Sequence, residues 1–85
     1  MKKSIMSVKS MIETYVNYGL DNTTWEMLYN MSCHNLISHD DWMKFANTCG
    51  GWQFDDDNGL TIIDTNDDCK VVYEADKNGY WVKVK

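Results

Sequence analysis

Eighty-five residues suffice for one modest hydrophobic core but not for two, and they leave little room for the deep cleft of an enzyme. A hydrophobic fraction of 44% with 13% aromatic residues and no proline excludes a disordered tail. The net charge of -5 is carried against eight lysines and no arginine, so the planar fork that grips phosphate and guanine bidentately is missing.

The segment from Ser4 to Tyr18 carries Val8, Ile12, Tyr15 and Val16 at helical spacing, and Gly19-Leu20 has the form of a glycine C-cap with its hydrophobic contact. Thr23-Thr24-Trp25-Glu26 is a capping-box pattern that predicts a second helix starting after Thr23, with Trp25, Leu28 and Tyr29 on one stripe and an end near His34 or Asn35. Ser38 followed by His39, Asp40 and Asp41 predicts a third helix with two carboxylates in its first turn, where the helix dipole favours them. Trp42, Phe45, Ala46 and Cys49 then form a core-facing stripe that Gly50-Gly51 ends.

From Trp52 the period changes from helical to extended. Trp52-Gln53-Phe54 predicts a strand, Asp55 to Gly59 a turn, Leu60 to Ile63 a strand, and Asp64 to Asp68 a second turn into a C-terminal hairpin over Cys69–Val84. Asn78-Gly79 is the strongest short hairpin signal and predicts a two-residue type I′ loop. That register sets Ala75 opposite Val82 and Tyr73 opposite Val84 on an apolar face. Glu74 with Lys83, Asp76 with Trp81 and Val72 with Lys85 fall on a polar face, leaving Trp81 outward. The expected fold is therefore one α+β domain over residues 1–85, with three N-terminal helices within 4–49 packed on one face of a three- to four-stranded antiparallel meander within 52–85.

Acidic residues dominate the second half. Between Asp40 and Asp76 stand ten carboxylates against Lys44 and Lys70 alone. Asp55, Asp56, Asp57, Asp64, Asp67 and Asp68 occupy two predicted turns; turn chemistry accounts for the residue type but not for the unbroken sign, which repels nucleic acid and attracts a basic partner. Adjacent turns of this kind are expected to merge into one anionic patch, with Trp81 as an aromatic anchor.

Other chemistries fare worse. An EF-hand register with Gly59 at its sixth position puts Phe54 first and Thr65 twelfth, neither able to serve, which leaves only an irregular set of Asp55, Asp57 and Asn58. Cys33, His34, His39, Cys49 and Cys69 are zinc-ligand types without a Cys-x-x-Cys knuckle, so no metal or cofactor is expected. Cys33 and His34 are neighbours on a helix and point about 100 degrees apart, which opposes a nucleophile and base pair. Three helices before a hairpin match the order of a winged helix-turn-helix, yet the would-be reading helix opens with Asp40 and Asp41, so direct nucleic-acid binding is not expected. Three cysteines are an odd number, and Lys9 and Glu13 interrupt any apolar run after Met1-Lys2-Lys3. The expectation is a reduced cytoplasmic protein with free, mostly buried thiols and no membrane segment.

In size, acidity and lack of a catalytic signature the chain resembles the small acidic inhibitors encoded by bacteriophages and mobile elements, including anti-CRISPR proteins and other DNA mimics. That resemblance implies a non-catalytic binder that occupies a nucleic-acid or partner site on a host defence protein, such as a CRISPR effector. The alternative is a small regulatory or assembly module that forms a homodimer through the sheet face around Trp81.

Overall fold

The computed structural model describes residues 4–57 and 59–84, and the chain divides into two compact units, Met1–Gly50 and Gly51–Lys85. The first holds helices α1 (Val8–Asn17), α2 (Asn22–Cys33) and α3 (His39–Cys49). The second holds strands β1 (Trp52–Asp55), β2 (Thr61–Asp64), β3 (Lys70–Ala75) and β4 (Trp81–Lys83), paired in that order as an antiparallel meander. The α+β order read from the sequence is the order the chain adopts.

Each helix begins at a side-chain cap. Ser7 accepts the Ser10 N–H at 3.1 Å and starts α1 four residues later than the hydrophobic spacing suggested. Ser4 is used elsewhere: its Oγ accepts the Ser38 N–H at 2.8 Å and donates to Asp41 at 2.5 Å, while the Ile5 N–H donates to the Leu36 carbonyl. The entry to α1 is thereby tied to the start of α3. The cap of α2 is Asp21, which accepts the Thr23 N–H at 2.8 Å, so the capping box expected at Thr23 does not form. Ser38 caps α3 as expected, through the Asp41 N–H.

The C-termini of α1 and α2 close alike. Leu20 N–H reaches the Tyr15 carbonyl and Gly19 N–H that of Val16; Leu36 N–H reaches Met31 and Asn35 N–H reaches Ser32. These are paired Schellman bonds, with Gly19 and Asn35 in the left-handed region.

Among the described residues of the helical unit the buried hydrophobic side chains are Met11, Tyr15, Val16, Leu28, Ile37, Trp42, Phe45 and Cys49. Met11 supplies the fully buried position of α1 where the spacing had pointed to Ile12, which is half-buried. Trp25 and Phe45 each meet both Tyr15 and Trp42 and meet each other, with ring centroids 5.2–5.7 Å apart, so a single aromatic cluster joins all three helices. Burial pushes the Tyr15 phenol up from its ordinary 10.0, with nearby Cys49 adding to the rise. Cys49 is the buried thiol of the stripe, whereas Cys33 and Cys69 are exposed, contrary to the expectation that the thiols are mostly buried.

In the sheet unit the C-terminal hairpin departs from its predicted register by one residue. The observed pairs are Ala75 with Trp81, Glu74 with Val82 and Tyr73 with Lys83. The loop is three residues long rather than two: Gly79 N–H bonds the Asp76 carbonyl, Asp76 N–H bonds the Tyr80 carbonyl, and only Gly79 takes a positive φ, +85°. This is a type I turn followed by a left-handed glycine, which Asn-Gly serves as readily as the type I′ form. The slip returns Trp81 to the face of Tyr73 and Ala75, so Trp81 is not outward, and it dissolves the expected Glu74–Lys83 pair. Val72 bonds Val84 through the Val84 N–H, and the expected contact with Lys85 lies outside the described residues.

The corrected face is aromatic. Ile62, fully buried, stands between its cross-strand partners Phe54 and Tyr73. Trp52 meets Tyr73 at 5.5 Å, and Phe54 meets Trp81 at 5.9 Å and 86°. A bulge at Ile62/Ile63 accommodates Val72, which adds local twist. At the other edge of the unit, both the N–H and Oγ1 of Thr65 bond the Gly51 carbonyl at 2.8 Å, and a Cβ at Gly51 would run into Asn66. A side chain at residue 51 would have to displace the exposed side chain of Asn66.

Candidate protein-binding surface

Consecutive turns of a meander lie at alternate ends of the sheet. Asp55, Asp56 and Asp57 are at the β1–β2 end, and Asp64, Asp67 and Asp68 are at the β2–β3 end, separated by the length of β2, roughly 10–13 Å. The six aspartates therefore form two groups, and the single patch expected from the sequence is not what the topology builds.

Each group has one half-buried aspartate, Asp55 or Asp64, whose carboxylate accepts the N–H two residues on, and two exposed aspartates. At the β2–β3 end Asp64 is half-buried, lies opposite Lys70 in the ladder and accepts the Asn66 N–H at 3.0 Å. Asp67 takes part through its backbone, whose carbonyl accepts the Lys70 N–H. Asp68 and Cys69 both have positive φ, +52° and +56°, so the backbone of this turn enters the left-handed region at two successive residues.

At the opposite end Asp56 and Asp57 are exposed, and each carboxylate of Asp55, Asp56 and Asp57 brings one oxygen within 4.8 Å of the others. Asp55 accepts the Asp57 N–H at 3.0 Å, and its carbonyl accepts the Thr61 hydroxyl. The same end carries a fourth carboxylate. Asp76 accepts the N–H groups of Asn78 and Tyr80 at 2.8 and 2.9 Å, and Ala75 N–H bonds the Leu60 carbonyl, which ties the β3–β4 turn to the β1–β2 connection. The cross-strand register divides the exposed apolar side chains of this end between the two faces of the sheet: Phe54 lies with Trp81 on one, and Val82 lies opposite Glu74 on the other. Phe54, Leu60, Tyr80 and Val82 are 45, 55, 72 and 50% exposed, and Trp81 is half-buried with its ring against Phe54.

Trp81 thus joins the β1–β2 acidic group and not the β2–β3 group. Sequence reasoning missed Leu60, Tyr80 and the role of Asp76. The alternation of turns was the signal available, since it puts residues 56–60 beside residues 76–80 in any four-stranded meander.

The chain matches no protein-family model, no curated protein and no solved structure.

Elsewhere the residues that suggested chemistry stand apart. Among the described residues the one group of three or more ligand-type side chains is Asp55, Asp56 and Asp57, and within the helical unit Cys33, His34, His39 and Cys49 form no such group. His34 is the C-cap of α2 and His39 the first residue of α3. The Cys33 thiol shares a hydrogen bond with the Tyr29 phenol, which that bond pushes above 10.0. Among the described residues no helix is long and apolar enough to cross a membrane.

Proposed function

We propose that the chain is a non-catalytic acidic inhibitor of the phage or mobile-element kind, acting in the cytoplasm of a bacterial host on a basic nucleic-acid-binding protein such as a CRISPR effector. The observation that carries this reading is the placement of charge: residues 51–85 hold eight carboxylates against four lysines, so four of the five net negative charges belong to the sheet unit. At the β1–β2 end Asp56 and Asp57 are exposed, and the exposed side chains of Phe54 and Leu60 flank the same connection, the composition of a surface that meets a cationic groove and excludes water from it. Asp55, Asp56 and Asp57 each bring a carboxylate oxygen within 4.8 Å of the others, and a local concentration of negative charge is what a cationic nucleic-acid groove attracts.

Immobilised chain exposed to a bacterial lysate should retain a basic protein that elutes with salt. Stoichiometric addition of the chain should then abolish the nucleic-acid binding of that protein. A captured protein whose nucleic-acid binding survives excess chain would refute the proposal.

The homodimer reading has one favouring observation, the exposed Val82 on the edge strand β4. Sedimentation of the wild type and Trp81→Ala distinguishes it, since only a dimer changes mass on that substitution.

A further inference from the structure

We infer that the chain forms a symmetric dimer through helix α2, with a second copy laying its own α2 antiparallel along the groove on the exposed face of the first. Such a dimer is independent of the inhibitor activity proposed above, and either can fail alone.

Helix α2 is apolar on two sides. Thr24 and Leu28 are buried and Trp25 is half-buried, whereas Met27 stays 44% exposed and half-buried Met31 follows it four residues on. Met27, Met31 and Leu36, the last 43% exposed, line a groove of about 440 Å³ along the helix. Glu26, Asn30 and His34 line it as well, at i, i+4 and i+8, so a polar row runs beside the apolar one. A second groove of about 390 Å³ shares Thr23 and Met27 and reaches Tyr18 of α1, which is 69% exposed. A helix that buries one face and keeps a second apolar row in water has a packing surface to spare.

The polar row selects the occupant. In an antiparallel copy related by a two-fold axis at Asn30, each residue faces the one equally far beyond the axis, so Glu26 meets the partner's His34 and His34 meets the partner's Glu26. An imidazole N–H donates to a carboxylate, and the two Asn30 amides, each both donor and acceptor, bond across the axis. The same rotation lays apolar row on apolar row, where the unbranched methionine side chains adapt to one another. A parallel copy would set acid against acid and gain none of this. Among the described residues the side chains of Glu26, Asn30 and His34 have no hydrogen-bond or ion-pair partner, so no internal contact is given up. The helical unit also holds five carboxylates against four lysines, so the faces that meet repel each other weakly.

The test is sedimentation velocity of the whole chain over roughly 10–500 µM, the range in which a small helix-pair interface associates. The wild type is expected to pass from 9.9 kDa towards twice that mass as concentration rises. His34→Glu sets acid against acid twice and should abolish association; Glu26→Lys should weaken it roughly tenfold. An equimolar mixture of these two variants should dimerise again, because one of its contacts is then wild type and the other is reversed in sign. Asn30→Lys, exposed and in the middle of the helix, should stay monomeric by setting two ammonium groups at the axis. Near-ultraviolet circular dichroism of the Trp25 and Trp42 cluster reports that each variant is folded. A wild type that stays at 9.9 kDa throughout, an Asn30→Lys variant that dimerises as the wild type does, or a mixture that stays monomeric would overturn the inference. So would a dimer that keeps its mass on His34→Glu and loses it on Trp81→Ala, which places the contact on the sheet.

Discussion

The ring of Trp81 on β4 meets the ring of Phe54 on β1 edge to face, 5.9 Å between centroids, although these are the two outer strands of the sheet. With Trp52 against Tyr73 and Ile62 buried between Phe54 and Tyr73, the face has a small core of its own. A double-mutant cycle of Phe54→Ala and Trp81→Ala, followed by urea unfolding, should show a coupling of about 0.5–1.5 kcal/mol. Strict additivity would mean that the two rings do not support each other.

The three-residue hairpin loop makes unequal demands on its residues. Gly79→Ala should cost about 1 kcal/mol or more, because φ there is +85°. Asp76→Ala should cost a similar amount by leaving the N–H groups of Asn78 and Tyr80 without their acceptor. Asn78→Ala should change stability by less than about 0.5 kcal/mol, since Asn78 does not occupy the left-handed region. An Asn78→Ala cost equal to that of Gly79→Ala would indicate the two-residue type I′ loop instead.

Helix α2 offers a comparable test at its start. Asp21→Ala should destabilise by about 1 kcal/mol and Thr23→Ala by clearly less, because the Asp21 carboxylate is the acceptor for the first free N–H. Thermal melts of the two variants decide between the caps.

The legible and illegible parts of the chain separate along physical lines. Helix α3 was readable because Ser38, the two aspartates after it and the Trp42–Phe45–Cys49 stripe all specify the same boundaries. The start of α2 was not, because Asp21 and Thr23 are both competent caps and only packing chooses between them. The hairpin was readable as a hairpin but not in register, since Asn78-Gly79 fits two loop lengths and one residue of slip exchanges the faces. That exchange is what made Trp81 look outward. The acidic residues are plain in the sequence, while their division between two ends comes from the alternation of turns along the meander.

Alkali should reveal the buried phenol of α1. Tyr15 has its folded-state value raised above 10.0, so folding disfavours its ionised form. The stability this contributes is fully present below pH 10 and is lost as pH rises through the folded-state value. Tyr15→Phe should flatten the fall in stability above pH 10, as measured by denaturant midpoints across that range. An unchanged slope would place the alkaline transition elsewhere.

The central claim is that the exposed carboxylates at the β1–β2 end of the sheet block a basic partner. It is tested most directly by the concentration of chain needed to displace nucleic acid from the captured protein, measured over a series of salt concentrations for the wild type, Asp56→Asn with Asp57→Asn, and Asp67→Asn with Asp68→Asn. Displacement should weaken steeply with salt for the wild type. The first pair should weaken displacement and flatten its salt dependence, and the second pair should do neither. Displacement indifferent to salt, or more sensitive to Asp67 and Asp68 than to Asp56 and Asp57, would contradict it.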